Sequence, residues 1–282
     1  MTLQEIYVVR HGFRSAWSVD PATGVYTASI PSPTGIPADP ALTAHGVRQA
    51  EELGKHLMSI EPPLDAVYSS PYYRCLQTIT PYVNLRRQHQ QQQHQQAPTG
   101  AADIRPERGI SEWFGAAPFE HPEPAQAEIL KSMFPAYDKD YVSAQTPSRK
   151  GETLAQLYDR VAAGVRGIIE KSDAEGHRSV VLCTHAAVVI VLGRVLTGEV
   201  PASPDVDDFQ AYTCGLSLYQ RQQGSQQPTV KENEKGVGGW TCVLNSDCSF
   251  LSNGAERGWK FAGDESFPGT GSMTQGGSEP KL

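Results

Sequence analysis

Apolar residues follow two rhythms along this chain of 282 residues. The short runs Ile6-Tyr7-Val8-Val9, Leu64 to Ser70 and Ser179-Val180-Val181-Leu182-Cys183-Thr184 have the length and β-branched character of buried strands. Elsewhere apolar positions recur at helical spacing. Val47, Ala50, Leu53, Gly54 and Leu57 predict a helix over Val47 to Met58 with Thr43 as its N-cap, and Pro71 opens a second helix through Thr78. Gly151-Glu152-Thr153 leads into a third stretch with Leu157, Val161 and Val165, and the smooth run Ala186 to Leu196 is a fourth helix. Strands that alternate with helices predict an α/β fold.

Past Val200 the rhythm changes. Thr213 to Tyr219 reads as a strand, Gln222 to Gly236 as a polar hairpin loop or linker, and Gly239 to Leu244 as a returning strand at the sheet edge. Residues 86–102 hold Gln88, Gln90 to Gln93, Gln95, Gln96, His89 and His94, a polar tract that cannot bury a core and is expected to be disordered. Its histidines are assigned no site. Residues 116–137, rich in proline and with a short helical pattern around Ile129 to Phe134, are expected to form a cap over a pocket mouth. The cap's Glu120, Glu123 and Glu128 either disfavour a small anionic sugar phosphate or simply form a solvated face.

Composition narrows the function. A net charge of −7 without a block of Lys or Arg gives direct nucleic-acid binding little electrostatic support. The first residues carry neither a basic start nor a long apolar stretch, and no run is long enough to span a membrane, so an intracellular protein, cytoplasmic or nuclear, is expected. Five cysteines without a Cys-x-x-Cys pair argue against a disulfide framework and a structural zinc site.

The chemistry gathers at strand ends. Arg10-His11-Gly12 follows the first apolar run, Ser70-Pro71-Tyr72-Tyr73-Arg74 follows the second, and His185 follows the third. The carboxyl ends of strands in open α/β sheets are where such folds build their sites. A phosphomonoester needs cations around its oxygens and a neutral imidazole as nucleophile, and this set supplies both without a cofactor or metal. Each member has a bland alternative: Arg74 as a surface arginine, His185 as a cap or core histidine, and Glu112 in Ile110-Ser111-Glu112-Trp113-Phe114-Gly115 as a solvated loop carboxylate.

Taken in order, Arg-His-Gly, Ser-Pro-x-x-Arg-x-x-Gln-Thr, Gly-Glu-Thr and the late His resemble the histidine phosphatase superfamily over about Ile6 to Leu196. The resemblance implies a phosphoglycerate mutase-like three-layer sandwich with a mostly parallel central sheet and a cap insertion. It implies His11 as the nucleophile that forms a phosphohistidine, with Arg10, Arg74 and His185 as phosphate ligands. Glu112 becomes the proton donor, its pKa expected to be raised by Trp113 and Phe114 beside it. Arg14 is either a further phosphate ligand or a surface ion pair. Phe13, where mutases carry a carboxylate, disfavours mutase activity, and Ala16 together with His185-Ala186 disfavours the phytase branch. A cofactor-independent phosphomonoester phosphatase is the implied activity, with phosphotyrosine or another phosphorylated protein residue as one candidate substrate.

The implied organisation is a histidine phosphatase-like domain over 1–222, an edge strand and partner-binding extension over 223–264, and a disordered tail over 265–282. The polar, aromatic-dotted end, with the segments around His11 and Glu112, is similar to the phosphatase-like subunit of the fungal RNA polymerase III factor tau (TFIIIC) and its paralogues. That similarity implies an alternative, an architectural role with TFIIIC subunits as partners and weak or vestigial phosphatase activity.

Overall fold

The computed structural model describes residues 2–92, 103–222 and 237–261. A six-stranded sheet runs in the order β5-β4-β6-β1-β7-β8, comprising β1 (Glu5–Arg10), β4 (Ala66–Ser69), β5 (Ile104–Pro106), β6 (Ser179–Thr184), β7 (Leu216–Arg221) and β8 (Trp240–Asp247). The first four strands in that order pair in parallel, and β7 and β8 add on antiparallel. The apolar run in β1 is explained by its two covered faces. Ile6 and Val8 point to one side of the sheet and Tyr7 and Val9 to the other, each set into its own core cluster.

Helices α1 (Ala44–Met58) and α2 (Tyr73–Gln92) cover the Tyr7 and Val9 face with Leu53, Leu57, Leu76 and Ile79. On the other face lie α4 (Leu154–Glu175) and α5 (Ala186–Thr197), bringing Val161, Val165, Val188 and Leu192. Three layers result, the α/β fold that the pattern predicts in the sandwich that the resemblance implies. Thr43 does cap α1, its hydroxyl accepting from Gly46 N at 3.2 Å, and Thr153 with Gln156 forms a capping box on α4.

Several expectations shift. The predicted disordered stretch begins too early, because residues 86–92 continue α2: the buried front half nucleates a helix that Arg and Gln readily propagate. The rest of that stretch, 93–102, lies outside the described residues, as do 223–236 of the predicted polar loop and everything beyond 261. The strand expected from Thr213 starts at Leu216, because Cys214, at φ 55°, and Gly215 form a turn in which Gly215 N bonds Tyr212 O at 3.0 Å. Strand β8 runs on to Asp247, past the expected end at Leu244.

Two small elements escape the sequence pattern altogether. Strands β2 (Trp17–Val19) and β3 (Tyr26–Ala28) form a hairpin, and the cap carries α3 (Ala127–Met133) near its expected place. Trp17 and Tyr26 of the hairpin pack with Tyr72 and Phe114 in a third apolar cluster that sits apart from the two main cores.

Candidate active site

Three strand ends converge because their registers align. Arg10 pairs with Thr184 and Ser69 with Cys183, so the residues that follow, His11, His185 and Ser70, leave the sheet side by side. His11 N donates to Thr184 O at 2.9 Å, and Ser70 N to Cys183 O at 2.9 Å. The two imidazoles meet edge to face, with ring centroids 5.4 Å apart.

His11 is buried, and its Nδ1 lies 2.8 Å from the Gly12 carbonyl oxygen. A carbonyl only accepts, so the proton belongs on Nδ1 and Nε2 keeps its lone pair. Burial first, then the charges of Arg74, His185, Arg10 and Arg14, hold this ring well below the usual histidine range. His11 is therefore a neutral imidazole inside a ring of cations.

Arg74 enters from the first turn of α2 and is fully buried, not the surface arginine of the bland alternative. Its Nη1 donates to Asp39 Oδ1 and Ala38 O, each at 3.2 Å, and its Nη2 donates to Glu112 Oε2 at 2.8 Å. The Tyr72 ring stacks against the guanidinium, with Cζ 4.8 Å from the ring centroid. His185 Nδ1 also reaches Glu112 Oε2, at 3.1 Å, while its Nε2 lies 2.8 Å from Ser70 Oγ. Burial works against a charged His185, but the Cys75 sulfur and the Glu112 carboxylate outweigh it and raise its pKa.

Glu112 is not the acid with a raised pKa that its aromatic neighbours suggest. Burial does push its pKa up, yet His185 and Arg74, with His11 behind them, overcome that push and hold the carboxyl well below the usual range. The flanking Trp113 and Phe114 do not control it, because two donors share one of its oxygens. Glu112 is an ionised partner in an ion pair.

Arg10 Nη1 donates to Ala211 O at 2.7 Å and also to Arg257 O. Arg14 is buried as well, against the surface alternative, with Nη1 on Ser15 O at 3.0 Å and its guanidinium over Trp17. Sequence reasoning missed Ser70, Asp39 and Tyr72. Ser70 lay within the quoted motif, but Asp39 sits in a proline-rich loop with no pattern to mark it.

His11, Glu112 and His185 place ligand atoms within 4.8 Å of one another, which is close enough for a metal ion. Arg74 Nη2, however, bonds the same carboxylate oxygen, so a divalent cation would meet a guanidinium at its coordination shell. The donor set suits an anion better.

Beside Glu112 a narrow cleft is walled by Tyr72, Phe114, His121, Pro122 and Pro147. His121 ties the cap to the hairpin: its Nδ1 accepts from Tyr26 Oη at 2.5 Å, its Nε2 donates to Gly115 O at 2.9 Å, and it stacks on Phe114. The cap's acids are partly neutralised, Glu120 by Arg149 at 2.7 Å and Glu123 by Arg108. Among the described residues no helix is long and apolar enough to cross a membrane.

Residues 6–233 match the sequence model of the histidine phosphatase superfamily (branch 1). Over 280 residues the chain is 32% identical to the Transcription factor tau 55 kDa subunit of Saccharomyces cerevisiae, covering 93% of this chain and 59% of that protein. It is 30% identical over 177 residues to the Ecdysteroid-phosphate phosphatase of Drosophila melanogaster, covering 61% of this chain and 22% of that one. The matches thus span less than two thirds of the length of either relative, 59% of one and 22% of the other. The crystal structure of the ecdysone phosphate phosphatase from Bombix mori with tungstate superposes with a TM-score of 0.56 at 18% identity, over 77% of this chain and 89% of that one, a likeness of fold. With a mostly parallel sheet between two helical layers and these matches, the chain belongs to the histidine phosphatase superfamily and has its phosphoglycerate mutase-like fold.

Proposed function

We propose that this chain is a cofactor-independent phosphomonoester phosphatase that works through a phosphohistidine on His11. The observation that carries the proposal is a buried, neutral His11, with its proton on Nδ1, surrounded by Arg10, Arg14, Arg74 and His185. Arg74 Nε is buried with no hydrogen-bond partner among the described residues, a donor that a phosphoryl oxygen would satisfy.

In the first step His11 Nε2 attacks phosphorus and the bond to the leaving oxygen breaks. The cations spread around the site stabilise the charge on the phosphoryl oxygens. A dianionic phosphoryl group competes for Arg74 and His185, the two groups that depress the Glu112 pKa, so binding itself raises that pKa. Glu112 then takes up a proton and passes it to the leaving oxygen. In the second step Glu112 accepts a proton from water as its oxygen attacks phosphorus, the P–N bond breaks, and inorganic phosphate leaves with His11 neutral again. The aromatic cleft of Tyr72, Phe114 and His121 supports an aryl leaving group, as in phosphotyrosine.

Hydrolysis of an aryl phosphate in the presence of a chelator tests the reading. Wild type should turn over and carry an acid-labile phosphoryl label, and His11→Ala should do neither. Folded wild type without turnover would set the reading aside.

A second reading is favoured by the alignment of 93% of the chain with the tau 55 kDa subunit: an architectural role in TFIIIC. Mass spectrometry of proteins that co-purify with the tagged chain tests it. Recovery of the other factor subunits supports it, and their absence from a purification that retains the chain counts against it. The two readings are compatible.

A further inference from the structure

The family match ends at residue 233, yet the chain beyond it returns to the site. After β8 the backbone turns back through Cys248 and Leu251, both buried in the core under α1 and α2. It then passes directly behind Arg10, where the Arg257 carbonyl accepts a hydrogen bond from Arg10 Nη1, the nitrogen that also bonds Ala211 O. Arg257 has a φ of 47°, in the left-handed region that non-glycine residues seldom occupy, and its guanidinium lies over Phe13 with Cζ 3.7 Å from the ring centroid.

Both flanks of Arg257 are anchored. On one side the Glu256 carboxylate accepts from His45 Nε2 at 2.6 Å and Gln49 Nε2 at 2.9 Å, and the Glu256 carbonyl accepts from Thr213 N at 3.1 Å. Gln49 in turn accepts from Phe13 N at 3.0 Å, which ties this anchor to the loop that follows His11. On the other side Trp259 is buried in the core under α4 and α5. Phe261 lies between Trp259 and Trp113, at centroid distances of 4.8 and 5.8 Å, and Trp113 adjoins Glu112. One short segment therefore touches the supports of both Arg10 and Glu112.

We infer that residues 254–261 are a positioning element of the active site, and that the backbone carbonyl of Arg257 holds the Arg10 guanidinium in the orientation that binds a phosphoryl group. The inference rests on the proposed role of Arg10 as a phosphate ligand. An arginine side chain has many rotamers, and one aligned by two carbonyls before the ligand arrives loses less freedom on binding. Glu256 and Arg257 act through Arg10, so they are positioning residues. Within the edge strand and partner-binding extension expected over 223–264, β8 forms the sheet edge and residues 256–261 pack on the supports of the site.

Two substitutions at one position separate backbone from side chain. Arg257→Gly keeps the positive φ at no steric cost, whereas Arg257→Pro demands a φ near −65° and must move the carbonyl. Binding of inorganic phosphate to the full chain, measured by calorimetry in chelator and well below each variant's melting temperature, is the readout. Arg257→Pro should weaken phosphate about tenfold or more, the scale of a charge-assisted contact, while Arg257→Gly stays within about threefold of wild type. The KM for an aryl phosphate should rise in step with the phosphate Kd, a split that a loss of stability alone would not produce. Wild-type affinity in Arg257→Pro overturns the inference, as does an equal loss in both variants, which would place the effect in the side chain.

Should Arg257→Pro fail to fold, Glu256→Ala decides, because it removes the His45 and Gln49 anchor and leaves Trp259 in place. It should weaken phosphate several-fold, and wild-type affinity in the folded variant overturns the inference. A wild-type chain that binds no phosphate overturns the phosphate-site reading itself, and the positioning role falls with it.

Discussion

Arg74 Nη2 and Glu112 Oε2 face each other across 2.8 Å, the arginine fully buried and the carboxylate 17% exposed. With His185, which pulls harder, Arg74 holds Glu112 ionised against the push of burial. In the proposed mechanism this makes the proton donor conditional: Glu112 takes up its proton when a bound anion engages Arg74 and His185.

The first prediction concerns leaving groups. A phenolate, with a conjugate acid near pKa 10, leaves with little help, whereas an alkoxide needs its proton. Glu112→Gln is expected to lower kcat/KM on an alkyl phosphomonoester by roughly 10²–10⁴, and on a nitrophenyl phosphate by about tenfold or less. Steady-state kinetics on the two substrates check this. Equal losses on both would show that Glu112 is not the proton donor.

Asp39 carries a prediction about pH. Burial raises its pKa to about 6, against the pull of Arg74 and the Tyr73 N–H. A folded pKa above the unfolded one means that the protonated form is favoured by folding. The contribution of Asp39 to stability is therefore full below about pH 4 and is lost as pH rises through about 6. The stability of wild type minus that of Asp39→Asn should fall by roughly 2 kcal/mol between pH 4.5 and pH 7.5. Urea unfolding at pH 4.5 and pH 7.5 gives both differences, and a flat or rising difference would contradict the assignment.

These two carboxylates also show how far the sequence could be read. The members of the site come from strand ends and from a short motif, so local pattern reveals them: His11, Arg74 and His185 fall where the apolar runs stop. Their state does not follow from local pattern. Beside Trp113 and Phe114 in sequence, Glu112 reads as a desolvated acid, and only the approach of Arg74 from the start of α2 and of His185 from the end of β6 reverses that. Asp39 is invisible for the same reason, since its partner Arg74 lies 35 residues away. The β2–β3 hairpin is hidden differently. Its strands have three residues each, too few for an alternation to register, although Asp20-Pro21-Ala22-Thr23-Gly24 between them is strong turn chemistry. The segment around Arg257 was legible only as scattered aromatics in polar sequence, because its contribution is a backbone carbonyl, which no side-chain pattern encodes.

Helix α4 supports the Glu112 loop through a buried pair. Arg160 Nε donates to both Glu152 oxygens, at 2.8 and 2.9 Å, and Arg160 Nη1 donates to the carbonyls of Gly109 and Ser111, each at 3.0 Å. Arg160→Met strands a buried carboxylate and two loop carbonyls, and should cost about 3–5 kcal/mol. Adding Glu152→Gln should recover part of that loss, since it removes the stranded charge. Chemical denaturation of the two single variants and the double variant completes the cycle. Strict additivity would mean that the two side chains do not stabilise each other.

The same helix meets that loop with no side chain between them. A Cβ built on Gly164 would lie 2.9 Å from Gly109 Cα, and one built on Gly109 would lie 2.8 Å from Gly164 Cα, so backbone packs on backbone. Gly164 lies one turn beyond Arg160, and both residues bear on Gly109, three positions before Glu112. Helix propensity alone would make Gly164→Ala stabilising, since alanine is the better helix former by about 1 kcal/mol. Here the added methyl must push the loop away, and overpacking of this kind costs about 1–3 kcal/mol, so net destabilisation is expected. The larger effect should fall on chemistry. A loop displaced by a fraction of an ångström moves the Glu112 carboxylate off Arg74 and His185, so kcat on an alkyl phosphate should drop more than the melting temperature suggests. Thermal unfolding and kinetics on the same preparation check both. A variant more stable than wild type with unchanged kcat would show that the contact is looser than its geometry implies.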